Sequence, residues 1–409
     1  MTQTLLFPAY NFPPLGRGGA IMHFNTARFL AQEGWRIEVL STGAAQGVLI
    51  KQAIDPSLMP EPVESLQVHR YTPPNLGPIP ELLYATGLLV CPQIPWFKGW
   101  LKRFEELPPA DAVLASFPQT SNFFLGEALA DHFDLPLFID FRDEFSGTRS
   151  REKNFLWSMK ARKVEERLIH RAAHAFVTSK TVARNLMERY GLDDSRCTVI
   201  ENGIFADEDE LAEVEENRRE RNDSTLRLVW LGTLSQHQGP ETLIQGFRLW
   251  QKENPSEKVS VELVLVCHQS LYFKRRIRQH LGEGIRWEPF RPRAEIPELV
   301  ASCDVGCLSL GGELYSYALP TKLYDYLHFG LPILAILPEG EARSLIEAEQ
   351  IGLLADCSDA EQVASHIESL RGSGLRDEIH IRMRQIRRNF LFERQIRRMS
   401  QKMREVLER

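Results

Sequence analysis

Short apolar runs alternate with helix-patterned stretches from residue 3 onward. TLLFP leads through a glycine-rich loop into AIMHFNTARFLAQEG, where Ile21, Phe24, Ala27 and Leu30 keep helical spacing and Gly34 marks the stop. RIEVL reads as the next strand. DAVLASF, LPLFIDF and HAFVTS follow, each succeeded by a helical pattern, and CTVIENG closes the series on an Asn-Gly turn. Strands alternating with helices predict parallel β-α-β units. After an acidic stretch the rhythm restarts. LRLVWLG, VELVLVCH, DVGCLSL and LPILAIL have the mostly apolar character of buried strands, and ETLIQGFRLW and KLYDYLHFG read as helices between them. The pattern predicts two α/β halves. Ligands of such sheets bind beyond the carboxyl ends of the strands, and with two sheets the default site is the cleft they face.

Composition narrows the class. The chain has 409 residues, 43% apolar and 25% charged, the balance of a soluble globular protein. A chain this long buries about three quarters of its unfolded surface, so no disulfide scaffold is required. Cys91, Cys197, Cys267, Cys303, Cys307 and Cys357 are scattered without a C-x-x-C, as expected of a reducing compartment. The start, MTQTLLFPAY, lacks the basic and apolar regions of a signal peptide. Pro92, Pro95 and Lys98 interrupt the most apolar stretch, Leu82 to Trp100, and argue against a membrane span. These features predict a cytoplasmic protein.

The net charge of −6 names no partner, but its distribution is uneven. Residues 206–223 carry nine acids and three bases, residues 149–171 eight bases and three acids, and residues 371–409 twelve bases and five acids. Solvated helix faces account for such runs. Within 153–171, Trp157, Ala161, Val164 and Leu168 recur at helical spacing beside a stripe of Lys153, Lys160, Lys163, Arg167 and Arg171. Two readings fit: a core-packing helix with a solvated flank, or a helix lying on an anionic membrane.

Four loops carry candidate chemistry. Gly16-Arg17-Gly18-Gly19 follows the first strand and opens a helix, as an anion site does and as a plain tight turn also would. Ile21 replaces the third glycine of the dinucleotide fingerprint, and Ser41-Thr42 stand where a ribose-binding acid is needed, so a nicotinamide oxidoreductase is disfavoured. Asp140-Phe141-Arg142-Asp143-Glu144 ends an apolar strand. Alternation sends Asp140 and Arg142 one way and Asp143 with Phe141 the other, making either an active-site rim or a local salt bridge that supports the loop. Gly232 to Gly239 is a second phosphate-loop candidate, rich in neutral donors and without a lysine or arginine. Leu319-Pro320-Thr321-Lys322 begins a helix, and Lys322 falls in the first turn, where the dipole already favours anions. An anionic ligand explains it; so does pairing with Asp325 three residues on, worth about 0.3 kcal/mol on a surface. His170 and His174 lack a third ligand, so no metal site is expected. No nucleic-acid module is present.

In this order and spacing, GRGGAIMHFNTARFLAQEGWRIEVLST, LPLFIDFRDEFSG, CTVIENGIF, LVWLGTLSQHQGPETLIQGF, IRWEPFRPRAEIPELVASCDVGCLSL and ALPTKLYDYLHFGLPILAI resemble the family-four retaining glycosyltransferases of the GT-B fold. ALPTKLYDYLHFG is similar to the P-S-K-L-x-E-Y-L block of bacterial enzymes that build surface polysaccharides and glycoconjugates. The resemblance implies two Rossmann-like, doubly wound parallel-sheet domains facing across a cleft. It implies an acceptor domain over 1–205, an acidic linker over 206–224, a donor domain over 225–380 and a helix over 381–409 packing back on the first domain. It also implies a nucleotide-diphosphate sugar as co-substrate, no cofactor, no essential metal, and a glycan or lipid-linked acceptor reached from the inner face of a membrane.

Carried over by position, Asp325 matches the second glutamate of the E-x7-E motif, which grips the donor ribose, while the first falls at Tyr317. The arginine and lysine of the usual diphosphate loop fall at Thr233 and Gln238, as in a subgroup with a neutral G-x-L-x-x-x-Q-G loop. Gly232, Leu319 and Thr321 complete the donor contacts in the second half. Lys322 and the amides of Gly18 and Gly19 stand in for the missing cations. Asp140, Arg142 and Asp143 match a D-x-R-D strand end, with Asp140 and Arg17 on the acceptor side and Asp143, Arg142 and Lys322 as catalytic groups. The implied reaction is front-face attack with retention, driven by stabilising the leaving diphosphate. A nucleotide-sugar epimerase of the same fold and a nucleotide-sugar-binding pseudo-enzyme are the alternatives.

Overall fold

The computed structural model describes residues 2–15, 18–43, 54, 63–74, 77–147, 154–206, 209–211, 225–232, 234, 238–257, 260–289, 291 and 295–409. These form two compact units, one of residues 1–201 with 393–409 and the other of residues 202–392. Arg17, Thr233 and most of the acidic segment 206–223 lie outside the described residues.

The first unit is built on seven parallel strands: Thr4–Pro8 (β1), Arg36–Thr42 (β2), Leu66–Tyr71 (β3), Ala112–Ser116 (β4), Leu137–Phe141 (β5), His174–Val177 (β6) and Cys197–Val199 (β7). Their order is β3-β2-β1-β4-β5-β6-β7, so the direction of winding reverses between β1 and β4. The helix Gly18–Gln32 follows β1, and Gly34 ends that segment at φ +87°, a conformation that costs a side chain dearly. The terminal helix Phe392–Leu407 turns Ile396, Met399 and Met403 inward at helical spacing. Trp35 Nε1 donates to Ser400 Oγ at 2.8 Å, and Arg397 pairs with Glu33 at 3.0 Å.

The second unit has six parallel strands: Leu226–Leu231 (β8), Val261–Val266 (β9), Ile285–Glu288 (β10), Val305–Ser309 (β11), Ile333–Ile336 (β12) and Gly352–Ala355 (β13). The order β10-β9-β8-β11-β12-β13 puts the reversal between β8 and β11. One face packs on the helices Ile296–Ala301, Thr321–His328 and Glu341–Glu349 through Leu323, Leu327 and Ile346. The other packs on Glu241–Glu253 and Ala360–Arg371 through Phe247, Trp250 and Ile367. Coverage on both faces is why β8 and β11 are mostly apolar, with Arg227 at the start of β8 turned to an ion pair with Glu262.

Three strands were not announced by the apolar pattern: β3, β10 and β13. All three are sheet edges, and each is largely half-exposed. An edge strand needs only part of its length apolar, so its signal is weak. Among the described residues no helix is long and apolar enough to cross a membrane.

Candidate functional site

In the second unit, β8 and β11 are followed by helices on opposite faces of the sheet, and a doubly wound sheet binds its ligands in the crevice beyond the strand ends at such a point. Lys322, in the first turn of Thr321–His328, reaches across it. Its Nζ lies 5.1 Å from the centre of the Trp230 indole. A Cβ built on Gly232 would stand 2.5 Å from that nitrogen, so the ammonium rests directly against the glycine of the candidate phosphate loop. Among the described residues Lys322 takes part in no ion pair, although Asp325 is near enough to raise its proton affinity; burial outweighs this and brings the pKa down from 10.5 to about 8. The helix start itself, with Pro320 at the position before Thr321, receives no side-chain hydrogen bond. A desolvated cation and an uncapped helix start converge on one point.

The floor of the crevice is fixed by hydrogen bonds. Trp230 Nε1 donates to Ser309 Oγ at 2.8 Å, and Ser309 Oγ donates to the Gly239 carbonyl at 2.8 Å. This relay ties the end of the phosphate loop to the end of β11. Tyr326, one turn beyond Lys322, is fully buried; its hydroxyl accepts from Leu231 N at 3.1 Å and donates to the Cys307 carbonyl at 2.9 Å. The helix carrying Lys322 and Asp325 is thereby locked to β8 and β11. Leu319 is buried and its carbonyl accepts from Asn202 Nδ2 at 2.7 Å, while Thr321 is exposed. Gln238 is half-buried. Tyr317 is 6% exposed and stacks on Tyr315, so the first-glutamate position offers a packed phenol and no carboxylate.

Beside this crevice opens a cavity of about 650 Å³, lined by Gly239, Glu241, Tyr272, Arg275, Arg276 and Ser309. The Tyr272 hydroxyl makes a short hydrogen bond with Glu241 Oε1. Arg275 and Arg276 were absent from the sequence-based candidates because KRRIR reads as a solvated helix face. The one available signal was indirect: a phosphate loop with Thr233 and Gln238 in place of cations needs charge from elsewhere. Trp230 and Ser309 carried no signal, since each reads as strand core.

In the first unit the Gly18-Gly19 helix start meets the loop after β4, where a Cβ on Gly19 would lie 3.3 Å from Pro118 Cγ. Asp140 and Arg142 project to the same side, as alternation requires, but they do not form a rim. Asp140 is fully buried, and its carboxylate takes the Ser116 hydroxyl at 2.9 Å and lies 3.5 Å from Arg142 Nη1. Burial pushes the Asp140 pKa up, with Arg142 and Ser116 opposing. Arg142 spends its other donors on the Ile200 and Glu201 carbonyls at 3.0 and 3.3 Å. The pair forms an internal strut over which the chain after β7 closes. Asp143 is half-buried, and its Oδ1 accepts from Glu144 N at 2.9 Å. Nearby, His23 is wholly enclosed, with Nδ1 2.9 Å from the Asn11 carbonyl; burial lowers its pKa to about 4, so it is neutral at pH 7.

Two doubly wound parallel sheets of seven and six strands give the architecture of the GT-B class. The model of Glycosyltransferase Family 4 matches residues 16–208, and that of Glycosyl transferases group 1 matches residues 225–372. The chain thus carries a segment of each of these two glycosyltransferase families, in that order. A search of curated proteins returned no match. Among solved structures, HepE of Anabaena in complex with UDP and glucose is 16% identical at a TM-score of 0.66, with all of both chains covered. WaaG, a glycosyltransferase of lipopolysaccharide biosynthesis, is 12% identical at 0.65 over 97% of this chain and 98% of its own. The UDP-forming trehalose-phosphate synthase of Burkholderia xenovorans is 12% identical at 0.72 over 99% of both. These likenesses extend to the fold.

Proposed function

We propose that the protein transfers a glycosyl group from a nucleoside-diphosphate sugar to a glycan or lipid-linked acceptor with retention of configuration. The observation that carries this reading is the Lys322 ammonium, desolvated against Gly232 at an uncapped helix start. A cation in that position is disfavoured by both burial and the helix dipole, and an anion between it and the helix amides relieves both. The diphosphate is that anion. Arg275 and Arg276 on the rim of the adjoining cavity add the charge that Thr233 and Gln238 withhold. Asp325, one turn past Lys322, accepts from the ribose hydroxyls. On the first unit, Asp143 serves as a catalytic group, and the Asp140–Arg142 strut holds the strand end that presents it.

In the transfer step, an acceptor hydroxyl oxygen bonds to the anomeric carbon as the carbon–oxygen bond to the β-phosphate breaks. The hydroxyl proton passes to the departing diphosphate on the same face. Charge accumulates on the diphosphate in the transition state, so Lys322 contributes most at that moment. A thermal-shift screen of UDP, GDP, ADP and their sugars tests the donor site; absence of a shift with every nucleotide refutes it. Proton NMR of the first-formed product reads the anomeric configuration. Donor binding without transfer to any acceptor would instead favour the pseudo-enzyme reading, to which the buried Tyr317 lends support.

A further inference from the structure

Lys322 and Trp230 belong to opposite faces of the second sheet. The helix Thr321–His328 packs on the face that carries Val229 and Leu231, whereas Trp230 lies in the core of the other face with Phe247 and Ile336. Lys322 reaches the indole by passing over the end of β8, and it passes at Gly232. A Cβ there would stand 2.5 Å from the Lys322 Nζ and 2.7 Å from the Trp230 Cη2, so a larger residue would close the gap. The nitrogen comes to rest 5.1 Å from the centre of the indole, inside the range of about 6 Å over which a ring face attracts a cation. The ring is held in turn. It is buried, its Nε1 donates to Ser309 Oγ at 2.8 Å, and Ser309 Oγ donates to the Gly239 carbonyl at 2.8 Å. The plane of the indole is therefore set by the end of β11 and by the far end of the loop that begins at Gly232.

A carboxylate and an aromatic face both attract an ammonium, with opposite consequences for an anionic ligand. A carboxylate neutralises the lysine and takes up its N–H donors, whereas a ring face leaves the positive charge in place. Among the described residues, the acid whose charge reaches Lys322 is Asp325. The two stand three apart on one helix, the spacing of a side-chain pair, yet the ammonium lies against the indole and joins no ion pair among the described residues. The stretch from Gly232 to Gly239 contains no Asp or Glu, so that loop brings no competing carboxylate. Without the ring face the four-carbon stem would be free to swing to Asp325. The pair so formed would withdraw the cation from a diphosphate and the carboxylate from a ribose in one move.

We propose that Trp230 and Ser309 are positioning residues of the donor site: the indole seats the Lys322 ammonium over Gly232 and keeps it from Asp325, and Ser309 holds the indole in the plane that does so. The inference rests on the reading of Lys322 as the cation of the diphosphate. Inorganic pyrophosphate, which has no ribose, separates the two in calorimetric titrations of the full chain. Pyrophosphate should bind wild type and lose affinity about tenfold or more in Lys322→Met. Trp230→Leu should lose about fivefold, what one such ring contact is worth, whereas Trp230→Phe keeps a ring face and should stay within about twofold. Both variants open a void in the core, so an indole that served packing alone would have the two lose alike. In Asp325→Asn the competing charge is gone, and adding Trp230→Leu should then change affinity less than about twofold. Ser309→Ala should lower affinity about two- to fivefold by releasing the indole edge, and Ser309→Thr should restore it, because the cavity that Ser309 lines has room for a methyl group. Wild-type affinity in Trp230→Leu or in Ser309→Ala, equal losses in the leucine and phenylalanine variants, or a loss that persists in Asp325→Asn would overturn the inference and leave the donor site standing. Pyrophosphate that fails to bind wild type, or that binds Lys322→Met equally well, would overturn the reading of Lys322 and the seat with it.

Discussion

Replacing Lys322 by methionine should move stability and nucleotide affinity in opposite directions. Methionine keeps most of the stem and removes the charge. In the ligand-free protein the pKa falls from 10.5 to about 8, a cost of about 3 kcal/mol for keeping the ammonium protonated at pH 7. A lysine whose folded pKa is lowered destabilises the fold below that pKa, and the penalty fades as pH rises from about 8 to 10.5. Partial solvent contact and loss of the Trp230 ring contact, worth about 0.5–1 kcal/mol, reduce the gain. Lys322→Met should therefore stabilise by about 1–2 kcal/mol, or roughly 2–8 °C for a unit of this size. With a diphosphate bound, the same change removes a charge-assisted hydrogen bond worth about 1.5–3 kcal/mol, weakening binding about 10- to 150-fold. Calorimetric titration of the nucleotide picked out by thermal shift, together with melting curves at pH 7, measures both. Wild-type affinity should also fall as pH rises through about 8, whereas the variant stays flat. Unchanged affinity in a more stable variant would mean that the ammonium faces no anion. A less stable variant would mean that the lysine is a structural element.

Asp325→Ala should weaken nucleotide binding by about 1.5–3 kcal/mol for each ribose hydroxyl bond lost, with Asp325→Asn milder because its amide keeps one acceptor; calorimetry on both decides, and equal affinity in the alanine variant removes the residue from the site. Arg142→Ala leaves the buried Asp140 carboxylate uncompensated and should cost about 3–5 kcal/mol in urea unfolding of the first unit, while nucleotide affinity of the second stays as in wild type. Tyr326→Phe strips the Leu231 amide of its buried partner and should cost about 1–3 kcal/mol in urea unfolding of the second unit. Acid should also destabilise the first unit: His23 is neutral in the fold with a pKa of about 4, so its contribution is complete above pH 6.5. About 3 kcal/mol disappears as pH falls toward 4, a trend that urea midpoints in His23→Gln should show flattened.

The alternation of apolar runs with helical stretches was enough to indicate two parallel α/β halves, because strands covered on both faces are written as mostly apolar runs; the doubly wound order came with the family resemblance. It also located the helix starts at Gly18 and Thr321 and the loops around them. What it could not contain was the partner of each face. β3, β10 and β13 were missed because an edge strand is half-solvated and carries half the pattern. The helix Phe155–Arg171 has two apolar faces, and only the packed unit shows that Trp157 and Leu168 go inward while Phe155 and Met159 stay out. Asp140 and Arg142 became a strut because carbonyls 58 and 59 residues further along the chain close over the guanidinium. Lys322 turns to Gly232 and Trp230 without forming an ion pair with Asp325, a choice made by where β8 ends relative to the helix start. Periodicity records that a side chain will be buried; the charge state and the contacts it finds there depend on segments that meet only when the sheet is wound.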